Sequence, residues 1–209
     1  MNLSLVNKYF HPKLILDIGA NTGGWFIKAK EAFGGDTTII SVEANIHCKK
    51  FLFKNNPYSI IALLSYKEHY QDFFLNSSFL LSTGSSIYKE LSEHFSYDNA
   101  RCLSIKTKTL DRLFAKLSFD LIKLDTQGSE LDILKGGIHT LKKAKGCIIE
   151  VSHKPYNLGA PLSHEVVNFM LEHKFLLKET LSTHAAVDQS DYLFINEWWL
   201  NCYEKITKE

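Results

Sequence analysis

Short apolar runs alternate with helix-like stretches along most of the chain, a pattern that predicts an α/β protein. Leu14-Ile15-Leu16 is an apolar run ending at Asp17, followed by a glycine-containing turn and a helical stretch over residues 25–33. Residues 37–42 are β-branched and apolar and stop at Glu43; residues 46–54 read as a helix and 59–64 as a third buried strand. Strand, helix, strand, helix, strand implies parallel strands joined by crossover helices. The middle is less regular, and residues 70–75 and 103–107 read as an inserted hairpin around the polar loop 82–86. The alternation then resumes: a strand over 120–124, a helix over 131–141, and a strand over 147–151. A helix over 165–173 follows, with Ser163 as its N-cap. Residues 175–181 and 192–195 close the sheet as an antiparallel pair. The expected fold is α/β, a three-layer Rossmann-like domain whose sheet of about seven strands is mostly parallel. Residues 1–209 are read as a single domain.

Composition narrows the class. With 209 residues, 45% hydrophobic and 22% charged, the chain has an ordinary globular mixture. A chain of this length buries about 70% of its unfolded surface, which excludes disorder and coiled-coil rods. Lys and Arg number 24 against 23 Asp and Glu, whereas nucleic-acid binders usually carry a basic excess. The densest basic stretch, Lys142-Lys143-Ala144-Lys145, reads as a helix end meeting the negative pole of the dipole. Nucleic acid is therefore not an expected partner. Four scattered cysteines form no CxxC pair, so neither a zinc site nor a disulfide framework is expected. No leader-like segment and no apolar run of about 18–20 residues is visible. The expectation is a cytoplasmic protein with no membrane span.

In open α/β sheets, ligands bind at the carboxyl ends of the strands, so the residues that terminate strands are the candidates. The first strand ends in Asp17-Ile18-Gly19-Ala20-Asn21-Thr22-Gly23-Gly24. Gly19 and Gly23 allow a tight turn and close backbone approach to a ligand, but the spacing is not the GxGxxG phosphate fingerprint. Glu43 ends the second strand, where an acid can bind the two hydroxyls of a ribose. Asp17 terminates an apolar strand, and an unpaired buried carboxylate is costly; a cationic or hydrogen-bonding ligand, or a helix N-terminus, would satisfy it.

The run Asp17-x-Gly19-x-Asn21-x-Gly23 resembles the first motif of class I S-adenosylmethionine (SAM)-dependent methyltransferases, with Asn21 where their usual pattern has glycine. The stretch from Ile122 to Gly137, containing Asp125-Thr126-Gln127-Gly128-Ser129-Glu130, resembles the D-x-Q-G-x-E signature of the FkbM family of methyltransferases. Thr109-Leu110-Asp111, Ile148-Ile149-Glu150-Val151 and Asp191-Tyr192-Leu193-Phe194-Ile195 are similar to further family segments. The resemblance runs from about Leu14 to Ile195. It implies SAM as cofactor, held by Asp17, Gly19, Ala20, Asn21, Gly23, Glu43 and Ala44, with Asp125 beside its methionine end. It also implies Ser65 near the adenine, where the family often has Asp.

Methyl transfer to oxygen requires the acceptor oxygen to be held close to the methyl carbon and relieved of its proton. Asp125 is the candidate to position or deprotonate the acceptor, aided by His153, whose side chain has the pKa of a general base. Lys123 shares a face with Asp125 and is placed to pair with it. Glu130 falls in a first helical turn, where an acid also serves the dipole. Asp125, Glu150 and His153 together offer ligands to a divalent ion, but no metal is assigned and turnover is expected to survive chelation. Trp198-Trp199 reads as a helix face packed on the sheet or on a second copy of the chain in a homodimer. The resemblance favours a small-molecule or saccharide acceptor. RNA or protein methylation, and a non-catalytic SAM- or nucleotide-binding module, are the alternatives, with a dinucleotide oxidoreductase behind them.

Overall fold

The computed structural model describes residues 1–76, 80–91 and 100–206. A 3-10 turn at Leu3–Lys8 precedes β1 (Leu14–Ile18), α1 (Gly24–Phe33), β2 (Thr38–Glu43), α2 (Lys49–Asn55) and β3 (Ser59–Ile61). The excursion β4 (Tyr70–Asn76) and β5 (Ala100–Lys106) follows. The chain then makes α3 (Leu110–Phe114), β6 (Leu121–Leu124), α4 (Glu130–Lys135), α5 (Ile138–Leu141), β7 (Gly146–Ser152) and α6 (Ser163–Glu172). It closes with β8 (Phe175–His184), β9 (Gln189–Asn196) and α7 (Glu197–Ile206).

Seven strands form one sheet in the order β3-β2-β1-β6-β7-β9-β8, and β4 and β5 form a separate antiparallel pair. Neighbours from β3 to β7 are parallel, while β9 runs against both β7 and β8. This is the α/β sheet with a closing antiparallel pair and a small hairpin that the sequence predicts. Alternation on β1 divides the core into two layers. Leu16 and Ile18 join the apolar cluster containing Phe114, Leu134 and Met170, whereas Ile15 joins Val6, Phe33 and Leu193 on the opposite face. Burial on both faces is why these strands read as unbroken apolar runs. Strand order reverses between β1 and β6, and such a switch point leaves a crevice at the strands' carboxyl ends.

Three sequence expectations need correction. The helix foreseen over 131–141 is two helices, because the backbone leaves helical geometry at Gly137, with φ −134° and ψ 25°, and only glycine fits the junction. A Cβ on Gly136 would lie 2.3 Å from the Ser65 carbonyl oxygen, and one on Gly137 would lie 2.4 Å from Leu110 Cδ2. The third strand stops at Ile61, and Leu64 makes only an isolated bridge to Lys108. Ser163 begins α6 rather than capping it: the Leu162 N–H donates to Glu165 Oε2 at 2.9 Å, and the Ser163 hydroxyl meets His153 instead. The Thr-Leu-Asp segment has an internal role, since Thr109 caps α3 and the Asp111 carboxylate accepts the N–H groups of His139 and Thr140 at the start of α5. Trp199 packs edge-on against Phe10 and donates its indole N–H to the Tyr9 carbonyl, while Trp198 is exposed. Among the described residues, no helix is long and apolar enough to cross a membrane.

Candidate active site

A cavity of about 600 Å³ opens over the carboxyl ends of β1, β2, β6 and β7. Its first wall is the turn after β1. Gly19 has φ +78° and Asn21 has φ +47°, both in the left-handed region where glycine and asparagine are tolerated. Asn21 steadies that conformation itself, its Oδ1 accepting the Thr22 N–H at 2.7 Å. Gly19 is required for a second reason. A Cβ there would fall 1.8 Å from the Asp125 carbonyl oxygen. The Gly19→Ala variant should therefore lose about 2 kcal/mol or more, the left-handed penalty plus displacement of the loop. Urea unfolding measures this, and a loss under about 0.5 kcal/mol, the range of an ordinary surface change, would contradict the contact.

Glu43, 7% exposed, fixes this turn from the neighbouring strand. One carboxylate oxygen accepts the Asn21 N–H and the other the Asn45 N–H, each at 2.7 Å. Burial pushes its pKa up, and the backbone N–H groups oppose that shift. Gly19, Ala20, Asn21, Glu43 and Ala44 all line the cavity, with Ala62, Leu63 and Leu64 forming an apolar stretch beside them. Gly23 does not line it; with φ +94° it is the residue that precedes and caps α1.

Asp17 lies beneath the cavity and its cation comes from inside the chain. Register pairs Asp17 with Lys123 across β1 and β6, and the two side chains approach to 3.4 Å while only 0% and 2% exposed. Lys123 Nζ also lies 3.2 Å from Asp125 Oδ2 and 5.7 Å from the centre of the Trp25 ring. Burial would lower the Lys123 pKa, but the two aspartates drive it above its ordinary value. For Asp125 burial opposes ionisation, yet Lys123 and the Gln127 amide hold the carboxyl below the usual range.

Gln127 links the carboxyl groups of Asp125, which follows β6, and Glu150, on β7. Its side-chain NH₂ donates to Asp125 Oδ1 at 3.1 Å and to Glu150 Oε2 at 2.7 Å. Its backbone adopts φ +56°, and its carbonyl accepts from Ser86 Oγ at 2.8 Å and from Asn157 Nδ2. A left-handed glutamine held by two outside donors is strain retained to aim a side chain. Glu150 takes the opposite shift from Asp125: burial, then the negative charge of Asp125, raises its pKa to about 10.

Glu130 turns back to accept the N–H and hydroxyl of Thr126. Burial raises its pKa from 4.5 to about 7. The folded chain thus keeps a proton that the unfolded chain releases between those values, so this contribution to stability falls as pH rises from 4.5 to 7. Glu130→Gln should therefore raise the melting temperature relative to the parent more at pH 8 than at pH 5. An equal gap at both pH values would contradict the shift.

Besides Asp17 and Gly23, two further expected residues, His153 and Ser65, are not brought to the cavity. Both ring nitrogens of His153 are engaged by hydroxyls, Ser163 Oγ at 3.2 Å and Ser190 Oγ at 2.9 Å, and the residue is absent from the lining. Ser65 is buried behind Leu64, its N–H donating to the Lys108 carbonyl. In their place the cavity receives Tyr156, His184 and Asp191, which the sequence reading did not single out, along with Gln127 and Ser85.

Residues 17–177 match the family model of the methyltransferase FkbM domain. The chain belongs to the FkbM methyltransferase family. Its sheet order, with the cavity at the switch point, is that of the class I methyltransferase fold. No curated protein matches the chain. Among solved structures, an FkbM methyltransferase from Methylobacillus flagellatus KT aligns with TM-score 0.55 and 14% identity, over 88% of this chain and 43% of that one. This chain therefore spans less than half the length of that protein. The SAM-bound fibrillarin of Aeropyrum pernix aligns with TM-score 0.53 and 7% identity, covering 88% of this chain and 66% of that one. The SAM-bound magnesium protoporphyrin IX methyltransferase of Synechocystis PCC 6803 aligns with TM-score 0.50 and 12% identity, over 92% and 74%. At these identities the likeness is one of fold.

Proposed function

We propose that this FkbM methyltransferase transfers the methyl group of SAM to a hydroxyl oxygen of a sugar, polysaccharide or glycosylated natural product. The observation that carries the reading is the Asp125–Gln127–Glu150 group, which faces the cavity beside the glycine turn. The residues present suit SAM. Gly19, Ala20 and Asn21 would offer backbone to its amino-acid part, and Ala62 to Leu64 an apolar slot for a flat base. The Glu43 carboxylate, which has acceptor capacity beyond its backbone N–H partners, would meet the ribose hydroxyls. Ala44 would lie beside them. Bound SAM supplies an electrophilic methyl group. Asp125, kept ionised by Lys123, would accept the hydrogen bond of the acceptor hydroxyl and hold its oxygen for in-line attack. Gln127 fixes that carboxylate, and Asp17 and Lys123 form the charged base on which it stands.

Calorimetric titration with SAM, S-adenosylhomocysteine and NAD tests the cofactor assignment. Micromolar binding of the first two and none of NAD is expected, followed by S-adenosylhomocysteine release on a panel of neutral saccharides. Binding of NAD but not SAM would overturn the reading. Glu43→Ala removes an acceptor for the ribose and the tether of the glycine turn. It should weaken SAM binding by about 10- to 100-fold, the size of one or two charge-assisted hydrogen bonds. Unchanged affinity would take Glu43 out of the site.

A further inference from the structure

Glu150, His184 and Asp191 make a group that the reading above leaves largely unassigned. They come from the neighbouring strands β7, β8 and β9, and all three line the cavity. One donor atom from each, a carboxylate oxygen or a ring nitrogen, lies within 4.8 Å of the other two. Only topology assembles them, because His184 is 34 residues beyond Glu150 and reaches it through the order β7-β9-β8.

Two independent features set this group apart from ordinary surface acids. Glu150 and Asp191 are direct cross-strand partners, so two carboxyl groups leave adjacent strands side by side at the cavity. Lys123, the buried cation of this region, is paired with Asp17 and Asp125. Secondly, Asp191 is only 2% exposed yet half-used. Its Oδ2 accepts from Ser182 Oγ and lies 3.2 Å from His184 Nε2, while its Oδ1 meets no donor among the described residues. The His184 side chain is 47% exposed, and its Nδ1 makes no hydrogen bond among the described residues.

We propose that Glu150, His184 and Asp191 hold a divalent cation at the acceptor end of the cavity. Two carboxylates and an imidazole suit Mn²⁺ or Zn²⁺ better than Mg²⁺, which favours all-oxygen surroundings and keeps its water. Three protein ligands leave coordination positions open, as in catalytic rather than structural metal sites. Those positions would take acceptor oxygens, a consequence that rests on the methyltransferase reading; binding of the ion does not. The proposal replaces the sequence-based expectation that turnover survives chelation.

The test is Mn²⁺ binding to the full, tag-free chain after dialysis against a chelator, read from the loss of the free-ion electron paramagnetic resonance signal. Zn²⁺ serves as competitor, and SAM is titrated in parallel. One displaceable Mn²⁺ per chain is expected. His184→Ala, a change at a half-exposed position, should weaken it at least tenfold, in line with loss of a metal-site partner, and leave SAM affinity unchanged. Asp191→Asn should weaken it further. No Mn²⁺ bound by the parent, or equal binding by parent and His184→Ala, overturns the proposal. SAM binding without Mn²⁺ removes the ion and leaves the methyltransferase reading; Mn²⁺ binding without SAM removes the cofactor assignment and leaves the ion.

Discussion

Replacing Lys123 with methionine should lower the unfolding free energy by about 3–5 kcal/mol, the cost of leaving one partner of a buried ion pair alone. Asp17 is fully buried in β1, its Ser41 contact is long at 3.5 Å, and water cannot reach it. Its carboxyl already has a raised pKa because burial outweighs the attraction of Lys123. Without the lysine the carboxyl would hold its proton to still higher pH. The folded state then binds a proton the unfolded chain has lost, so the variant's deficit should grow as pH rises from 5 to 8. The paired change Lys123→Met with Asp17→Leu should recover most of the loss, since an apolar pair of similar volume often replaces a buried ion pair without cost. Urea unfolding of the three proteins at both pH values decides it. A single-variant loss below about 1 kcal/mol, the scale of an exposed pair, would mean that the buried charges do not depend on each other.

Asp125→Asn should have the largest effect on turnover. The substitution keeps the shape and one acceptor oxygen, and Lys123 keeps Asp17, so the fold should persist. What disappears is a charge held ionised beside the glycine turn and facing the cavity. Loss of such a group costs about 10²- to 10⁴-fold in kcat, with the SAM dissociation constant little altered. The rate of S-adenosylhomocysteine release on the best saccharide of the panel measures the first quantity, and calorimetry the second. Retention of more than a tenth of the parental rate would remove Asp125 from the mechanism. Loss of SAM binding instead would make it a cofactor ligand.

These tests also mark where the sequence was readable. Asp17, Glu43 and Asp125 stood out because a carboxylate ending an apolar strand needs a physical reason, and topology puts such ends at a ligand crevice. Lys123 was placed beside Asp125 by alternation alone, but its contact with Asp17 needed the β1–β6 register. His153 was chosen for nearness to a strand end, which says nothing about where a ring points; Ser163 and Ser190 capture it. His184 carries no local signal, since its approach to Glu150 depends on the fold-back of β8 and β9. Ser65 failed because the chain leaves the sheet after Ile61, three residues before the expected strand end. The paired glycines 136 and 137 belong to the segment that resembles the family signature, yet their cause is the close approach of Ser65 and Leu110, which no one-dimensional pattern contains.

The turn after β1 is anchored at both ends: Asn21 through the Glu43 carboxylate, and Gly19 by its seat on the Asp125 carbonyl. A turn pinned to two strands of the same sheet has no freedom to swing. The stretch that carries Ser82 is braced by the same turn, because the Asn21 side-chain amide lies within donating distance of the Leu81 and Ser82 carbonyls and the Asn45 amide donates to the Leu80 carbonyl. Turn, strand ends and loop thus form one braced wall, and a change at Asn21 would loosen all three together.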